Sequence, residues 1–477
     1  MPPPLAAFLT IGFICYLFRR DFRERPAVTA AIWLPTIWLF LSCSRPSSQW
    51  LAMAGIHFGD VPSGGAAEVM EEGSPIDRLV YFALIAAGIY VLHKRHIDVG
   101  KVVRENGWLA AFFMVCFLGV LWSDFPLVSF KRWIKVLGHA VMVLVIFTEP
   151  DPREAVITLA KRCAYVVLPV SILFIKYYSQ WGRMYDPFSG VGSNTGITTN
   201  KNILGCACLI LGLFLFWHFL QVRHEPKSRD RKREMIFTGA LLLMVGYLLH
   251  KAHSATSTIG FALGVVIIVG LGLRFVNKRA IAFYASIIVV LLVVAQLSFD
   301  VMGSFVELTG HGSTIEGRGE LWKELLKIHI NPILGTGFES FWLGKRLEEI
   351  WSIHWWHPTE AHNGYLEIYL TLGIVGVTML VCLLLATFHK ARRELLVDFE
   401  WGRLRMAFLV AVVLYNWTEA SFKGLHPMWF VFYIVAIDYA RTVARRGTST
   451  SLEIKPQQEP ERVLAHTGWL DVPPRPY

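Results

Sequence analysis

HNGYLEIYLTLGIVGVTMLVCLLLATF, residues 362–388, decides the fold. After His362 and Asn363 the stretch holds one ionisable side chain, Glu367, and then runs apolar to Phe388. About 20 such residues in a helix cross the hydrocarbon core of a bilayer. Comparable uncharged runs occur at 5–18, 27–43, 163–175 and 281–297. Over the 477 residues 54% are apolar and only 17% charged, against about a quarter charged in ordinary soluble domains. A soluble enzyme, a fibrous chain and a secreted disulfide scaffold are excluded. The chain reads as an all-α polytopic membrane bundle with about 11–13 transmembrane helices. Residues 1–445 form a single integral membrane domain, followed by a disordered cytoplasmic tail at 446–477. The first apolar run follows Pro2, Pro3 and Pro4 with no basic segment, so no cleavable signal peptide is expected.

The seven cysteines lie in or beside the apolar runs and act as small hydrophobes. The formal net charge of +10 is a topology signal. Most Lys and Arg residues sit in alternate loops, at 19–25, 94–104, 153–162, 223–233, 274–279 and 390–405. Cytoplasmic loops carry that excess. The loops around 44–77, 178–201, 299–363 and 419–426 then face outward, with the N-terminus outside. Membrane lipid is the expected partner and nucleic acid is not.

The outward loop 299–363 is long enough to call for a function. It contains HGSTIEGRGELWKELLKIHINPILGTGFESFW (311–342) and EEIWSIHWWHPTEAHNGYLEIYL (348–370). Leu321, Trp322, Leu325, Leu326 and His329 share one helical face, opposite Glu320, Lys323, Glu324 and Lys327, and Pro332 marks the helix end. Arg318 falls in the first turn between two glycines, where a guanidinium beside free backbone N–H groups makes an anion site. A solvated surface arginine is the alternative. Thr359 is a plausible N-cap for the following span, which places the His362 imidazole at the outer mouth of the bundle. Asn363 lies beside it, and Glu367, an ionisable group inside a span, is a functional candidate.

His354, His357 and His362 could be read as metal ligands, but Pro358 interrupts the spacing; no metal is expected. Trp351, Trp355 and Trp356 fit a sugar platform or interfacial anchoring. In WGRMYDPFSGVGSNTGITTNKNILG (181–205), irregular backbone brackets Arg183 and Lys201, with Asn200 and Asn202 adjacent. Arg132, with Lys131 and Lys135, lies at another outer span end. Several cations converging from separate outward segments suit a diphosphate at the outer leaflet.

GRGELW, NPILGTGFESFW and EAHNGYLEIYLTLGIVG resemble the signature of the O-antigen ligase/polymerase superfamily of bacterial inner-membrane proteins. WSDFPLVSFKRWIK, TGITTNKNILG and LFRRDFRERP are similar to its exopolysaccharide-production polymerase branch. The resemblance extends over roughly residues 8–440. It implies a helical bundle with a large periplasmic loop containing short helices. It also implies glycan transfer from an undecaprenyl-diphosphate carrier at the periplasmic face of the inner membrane, alongside a flippase and a chain-length regulator. Arg318 matches the arginine of the family's R-x-x-x-W motif, His362 its loop histidine, and Arg183 its upstream arginine. HSATST (253–258) departs from the family pattern.

The implied chemistry assigns Arg318 and His362 as catalytic. Arg183, Lys201 and Arg132 hold the diphosphate, and Trp322, Asn363, Glu367 and Asn202 support them. Arg318 and Arg183 steady the departing charge. His362, with an ordinary pKa near 6.5, deprotonates the incoming hydroxyl. The expected reaction is an inverting single displacement that needs no cofactor; neither a D-x-D pair nor a G-x-x-x-x-G-K-[ST] loop is present. The alternatives are a ligase moving glycan to lipid A core or to protein, and a transporter of a small anion.

Overall fold

The computed structural model describes residues 1–24, 26–56, 73–185, 190, 192–282, 284, 312–354 and 356–439. Helices dominate it. The strands among the described residues are Arg183–Tyr185 and Gly192–Asn194, an antiparallel pair in which Arg183 faces Asn194. Within the outward segment read as irregular, this hairpin follows a short helix, Ser179–Gly182. Among the described residues, five helices are long and apolar enough to cross a membrane: Pro75–Lys94, Pro152–Tyr177, Lys201–His224, Arg229–Ala252 and Gly364–Val397. Shorter apolar helices are Ala30–Ser42, Gly107–Leu118, Ala255–Gly270 and Pro427–Ala436. Most of the apolar run at 281–297, residues 299–311, Trp355 and the segment 446–477 lie outside the described residues.

Asn and Asp side chains start many of these helices by accepting bonds from their first free N–H groups. Asp151 accepts from Arg153 and Glu154, Asn200 from Ile203, and Asp398 from Trp401. The span beginning near residue 362 is capped by Asn363, not Thr359: Asn363 Oδ1 accepts from the N–H groups of Tyr365 and Leu366 at 3.0 Å.

The core is aromatic. Trp38, Trp217, Trp429, Tyr415, Tyr433 and Phe214 are almost wholly enclosed. All ten residues of Pro427–Ala436 are buried, so that helix runs through the bundle interior. Pro75–Lys94 and Arg229–Ala252 lie at its edge and leave Leu79, Phe82 and Leu243 exposed at 69%, 66% and 78%. Apolar side chains on that surface suit a lipid solvent. Small residues permit close helix contact. A Cβ at Gly260 would stand 2.7 Å from Leu209, and one at Gly264 2.7 Å from Leu213.

Gly364–Val397 and Phe399–Thr418 form an antiparallel hairpin joined at Asp398. Its closed end lies among Arg392, Arg393, Arg403 and Arg405; Arg405 pairs with Asp438 at 2.8 Å. Its open end carries His362 and Glu419. The first of these helices breaks at Gly373, where φ is +61°. Residues 332–337 fill the break mainly with backbone: Ile374 N–H donates to Pro332 and Val375 N–H to Ile333, while the Thr336 and Gly337 N–H groups donate to Leu370 and Thr371, and the Thr336 hydroxyl adds a bond to Leu370. A Cβ at Gly373 would meet the Ile333 carbonyl oxygen at 2.3 Å. This explains the glycines of both NPILGTGF and LGIVG. Broken backbone at membrane depth is satisfied by protein.

The helix carrying Arg318 spans Gly312–Lys327. Arg318 is therefore well inside it and not in its first turn, because the helix continues through Gly317 and Gly319. The expected free N–H groups beside the guanidinium are already used within the helix. Leu321 and Leu325 are buried as the periodicity requires, but Leu326 is 61% exposed. The helix stops at Lys327, ahead of Pro332.

Candidate active site

The cluster is organised by a residue with no motif of its own. Glu419 follows the Phe399–Thr418 helix, and its side chain is 7% exposed. Its Oε1 accepts from Arg318 Nη2 at 3.0 Å and from Asn202 Nδ2 at 2.9 Å. The other nitrogen of the Arg318 fork donates to the Thr418 carbonyl. Glu419 Oε2 lies 3.5 Å from His362 Nδ1. Three separate segments, carrying Asn202, Arg318 and His362, thus meet on one carboxylate.

A second carboxylate completes the cluster. Glu360 Oε1 is 3.0 Å from His362 Nδ1, and Glu360 Oε2 accepts from Lys423 Nζ. The His362 ring N–H is aligned with neither carboxylate, so both approaches are charge contacts and not formed hydrogen bonds. His362 adopts a left-handed backbone, φ +49°, a conformation costing about 1–3 kcal/mol that persists only where the surroundings over-determine it. Those surroundings are visible: Trp322 Nε1 donates to the Ala361 carbonyl at 2.7 Å, and Trp356 stacks on the His362 ring. A Cβ at Gly364 would stand 2.1 Å from Asn416 Oδ1, so the turn into the span requires glycine.

Burial disfavours the imidazolium, but the Glu360 and Glu419 carboxylates outweigh it and lift the His362 pKa to about 9. Burial likewise opposes the charge on Glu360, yet Lys423 and His362 hold it well below the usual carboxylate range. Burial is also overcome at Lys423, which Glu360 and Glu367 raise. The two flanking acids thus favour the protonated imidazole. The expected base with an ordinary pKa near 6.5 is not what the geometry supplies, because two acids flank the ring.

Glu367 acts on the cluster through the charge of Lys423, and its own hydrogen bonds go to the outward loop. Its Oε1 accepts from Trp342 Nε1 at 2.7 Å and its Oε2 from the Ala361 N–H at 3.0 Å, which ties the outward loop to the span. Asn363 caps the span and also donates to the Trp417 carbonyl. Arg132 donates to the Glu339 carbonyl, and Glu339 Oε1 accepts from the Gly424 N–H at 2.6 Å. It thus reaches the loop that carries Lys423. His139 anchors that loop from beneath: Trp38 Nε1 donates to its Nδ1, so the Nε2–H donates to the Gly424 carbonyl. Lys201 opens the helix that positions Asn202 and forms no ion pair among the described residues.

Arg183 is not part of the cluster. It lines a different cavity, whose walls share none of the residues above. HSATST is packing: Ser254 bonds Ser257 against Gly205, and Thr256 bonds the Thr418 hydroxyl. Glu360, His362 and Glu419 place their ligand atoms within 4.8 Å of one another, a spacing that could accept a cation. Lys423 and Arg318 already occupy the two carboxylates. Trp351 stacks on His357 and His354 edges Trp356, so the other histidines of that segment face aromatic rings.

Glu360, Glu419 and Lys423 escaped the sequence reading. Each lies in an outward loop already recognised, but no motif spacing links Arg318 to Glu419, 101 positions away, or Glu360 to Lys423, 63 positions away.

Residues 239–381 match the O-antigen ligase family model. The exopolysaccharide production protein ExoQ of Rhizobium meliloti is 25% identical over 372 residues, covering 75% of this chain and 82% of its own length. A Rickettsia felis protein that carries the name polysaccharide ligase is 26% identical over 285 residues, covering 56% and 64%. A Rickettsia prowazekii protein of the same name is 28% identical over 311 residues, covering 60% and 68%. The matched region contains Arg318, Trp322, His362 and Glu367, and ends before Glu419 and Lys423. The motifs around Arg318 and His362 thus fall inside the stretch of this multi-pass membrane protein that is similar to the O-antigen ligase family.

Proposed function

We propose that the chain is a glycosyltransferase that polymerises undecaprenyl-diphosphate-linked repeat units of an exopolysaccharide. It would act at the periplasmic face of the bacterial inner membrane, beside a flippase and a chain-length regulator. One observation carries this reading. Arg318, Lys423 and His362 gather around two carboxylates at the end of the bundle opposite the basic loops. The exopolysaccharide relative and the family match support the substrate class.

In the proposed step the acceptor hydroxyl oxygen attacks the anomeric carbon of the donor sugar. The bond from that carbon to the carrier diphosphate breaks, and the configuration inverts. Arg318 and Lys423 steady the charge that develops on the departing diphosphate, the term a metal supplies elsewhere. The hydroxyl proton passes to His362 in its neutral form, and Glu360 and Glu419 stabilise the imidazolium that results. Arg183 takes no part in this step.

The test is purified protein with undecaprenyl-diphosphate repeat units, without added metal. Polymerase activity gives a ladder of longer lipid-linked chains, which Arg318→Ala and His362→Ala abolish while still inserting in membranes. The polysaccharide-ligase names of the Rickettsia relatives favour a second reading. A ligase would give no ladder and would move one glycan to a lipid A core or protein acceptor.

A further inference from the structure

Three cations elsewhere on the molecule have no carboxylate partner among the described residues. Lys176 is in the last turn of Pro152–Tyr177, Lys251 in the last turn of Arg229–Ala252, and Arg183 on the hairpin. They line one cavity of about 290 Å³ with Tyr185, Asn194 and Tyr247. The Lys176 and Lys251 ammonium groups approach the Tyr247 ring at 5.1 and 5.9 Å from its centroid. Arg183 makes one long contact, 3.4 Å from Nη2 to the Ile175 carbonyl. Asn194 Nδ2 donates to the Lys251 carbonyl at 3.0 Å, so the hairpin is docked against the helix end. Many cations in this chain are paired: Arg20 and Lys161 with Glu234, Arg318 with Glu419, Arg405 with Asp438. Three like charges lining one cavity repel one another, and an anion between them relieves that repulsion.

We propose that Lys176, Arg183 and Lys251 bind a phosphoryl headgroup borne by a membrane-anchored molecule, at a site separate from the Glu419 cluster. The proposal does not depend on the transferase reading. The cavity lies just below the roughly 300–1,000 Å³ of pockets that enclose drug-sized ligands. It suits a phosphate or diphosphate, not a saccharide repeat. Both helices end here, away from the basic loops, and Lys and Arg at the ends of spanning helices reach towards headgroups. A guanidinium fork with two ammonium groups is a strong phosphate-binding set. Lys251 precedes the corner that leads to Thr256, whose hydroxyl bonds Thr418 beside Glu419.

The test uses the full chain with Arg318→Gln and Lys423→Gln, which removes both diphosphate-facing cations of the Glu419 cluster, and compares it with the same chain also carrying Lys176→Gln, Arg183→Gln and Lys251→Gln. The probes are inorganic pyrophosphate, farnesyl diphosphate in detergent, and nanodiscs of phosphatidylcholine with or without phosphatidylglycerol. Loss of affinity by about tenfold or more for farnesyl diphosphate or for the phosphatidylglycerol nanodiscs on the triple replacement supports the site. Farnesyl diphosphate would identify a polyprenyl carrier and phosphatidylglycerol a bulk anionic lipid, whereas an effect on pyrophosphate alone would overturn the membrane-anchored ligand. Arg183→Gln alone, on the exposed hairpin, should weaken the same probe severalfold and guards against misfolding of the triple variant. Equal binding by both chains, or no binding by the parent, overturns the proposal.

Discussion

Arg318 and His362 meet on opposite oxygens of one carboxylate: Glu419 Oε1 accepts from Arg318 Nη2 at 3.0 Å, and Glu419 Oε2 lies 3.5 Å from His362 Nδ1. The two motif residues therefore share a positioning group, and each one's geometry depends on the other's partner.

Glu419→Gln leaves Arg318 and Asn202 with an acceptor but removes a charge facing His362. We expect chain growth to fall by about 10²–10³, the range for losing one preorganised polar group. The pH at which His362 titrates should also move down towards 6.5. Rate measurements across pH on the variant read both. An unchanged rate and profile would remove Glu419 from the site.

Arg318→Lys keeps a positive charge but has no planar fork to reach the Thr418 carbonyl and Glu419 together. We expect a rate loss of about tenfold or more with normal membrane insertion. A lysine variant as active as wild type would show that charge alone suffices.

The pH dependence follows from His362. If its neutral form accepts the proton, the rate rises with pH towards about 9. Stability runs the other way. A folded pKa raised above the unfolded value contributes stability below about 6.5 and loses it as pH climbs through about 9. Thermal unfolding in detergent should fall over that window in wild type and less steeply in His362→Gln. A rate that levels off above pH 6.5 would contradict the raised pKa.

Glu367→Ala strands the Trp342 N–H and the Ala361 N–H in the protein interior. Each unpaired donor costs about 1–3 kcal/mol, so a lower melting temperature is expected, with loosening of 338–361 seen by hydrogen exchange. Glu367→Gln keeps acceptor capacity and should be milder. Full stability of the alanine variant would mean that the loop is held elsewhere.

Gly364→Ala places a methyl group 2.1 Å from Asn416 Oδ1. We expect destabilisation of about 1–3 kcal/mol from overpacking, partly relieved by Asn416→Ala. Additive effects of the two replacements would deny the contact.

Local pattern carried much of this protein. Apolar runs and scarce charge require membrane helices whatever the helices touch, because an unpaired backbone in lipid is too costly. Arg318, Trp322, His362, Asn363 and Glu367 were legible because each sits in a short, distinctive segment. Their roles were less so. Glu367 looked like an intramembrane functional acid and proves to be a clamp, a difference made by Trp342 and Ala361 folding over it.

The amino-acid order by itself determined that this chain is an α-helical membrane protein and which outward loop carries both Arg318 and His362. Tertiary structure decided the rest. Antiparallel packing of Gly364–Val397 on Phe399–Thr418 brings Glu419 to His362, and it brings Lys423 to Glu360, 63 positions away. It also carries Arg183 into a cavity of its own. Charge interactions act through distance in space, and pKa values follow them. Sequence spacing reports neither.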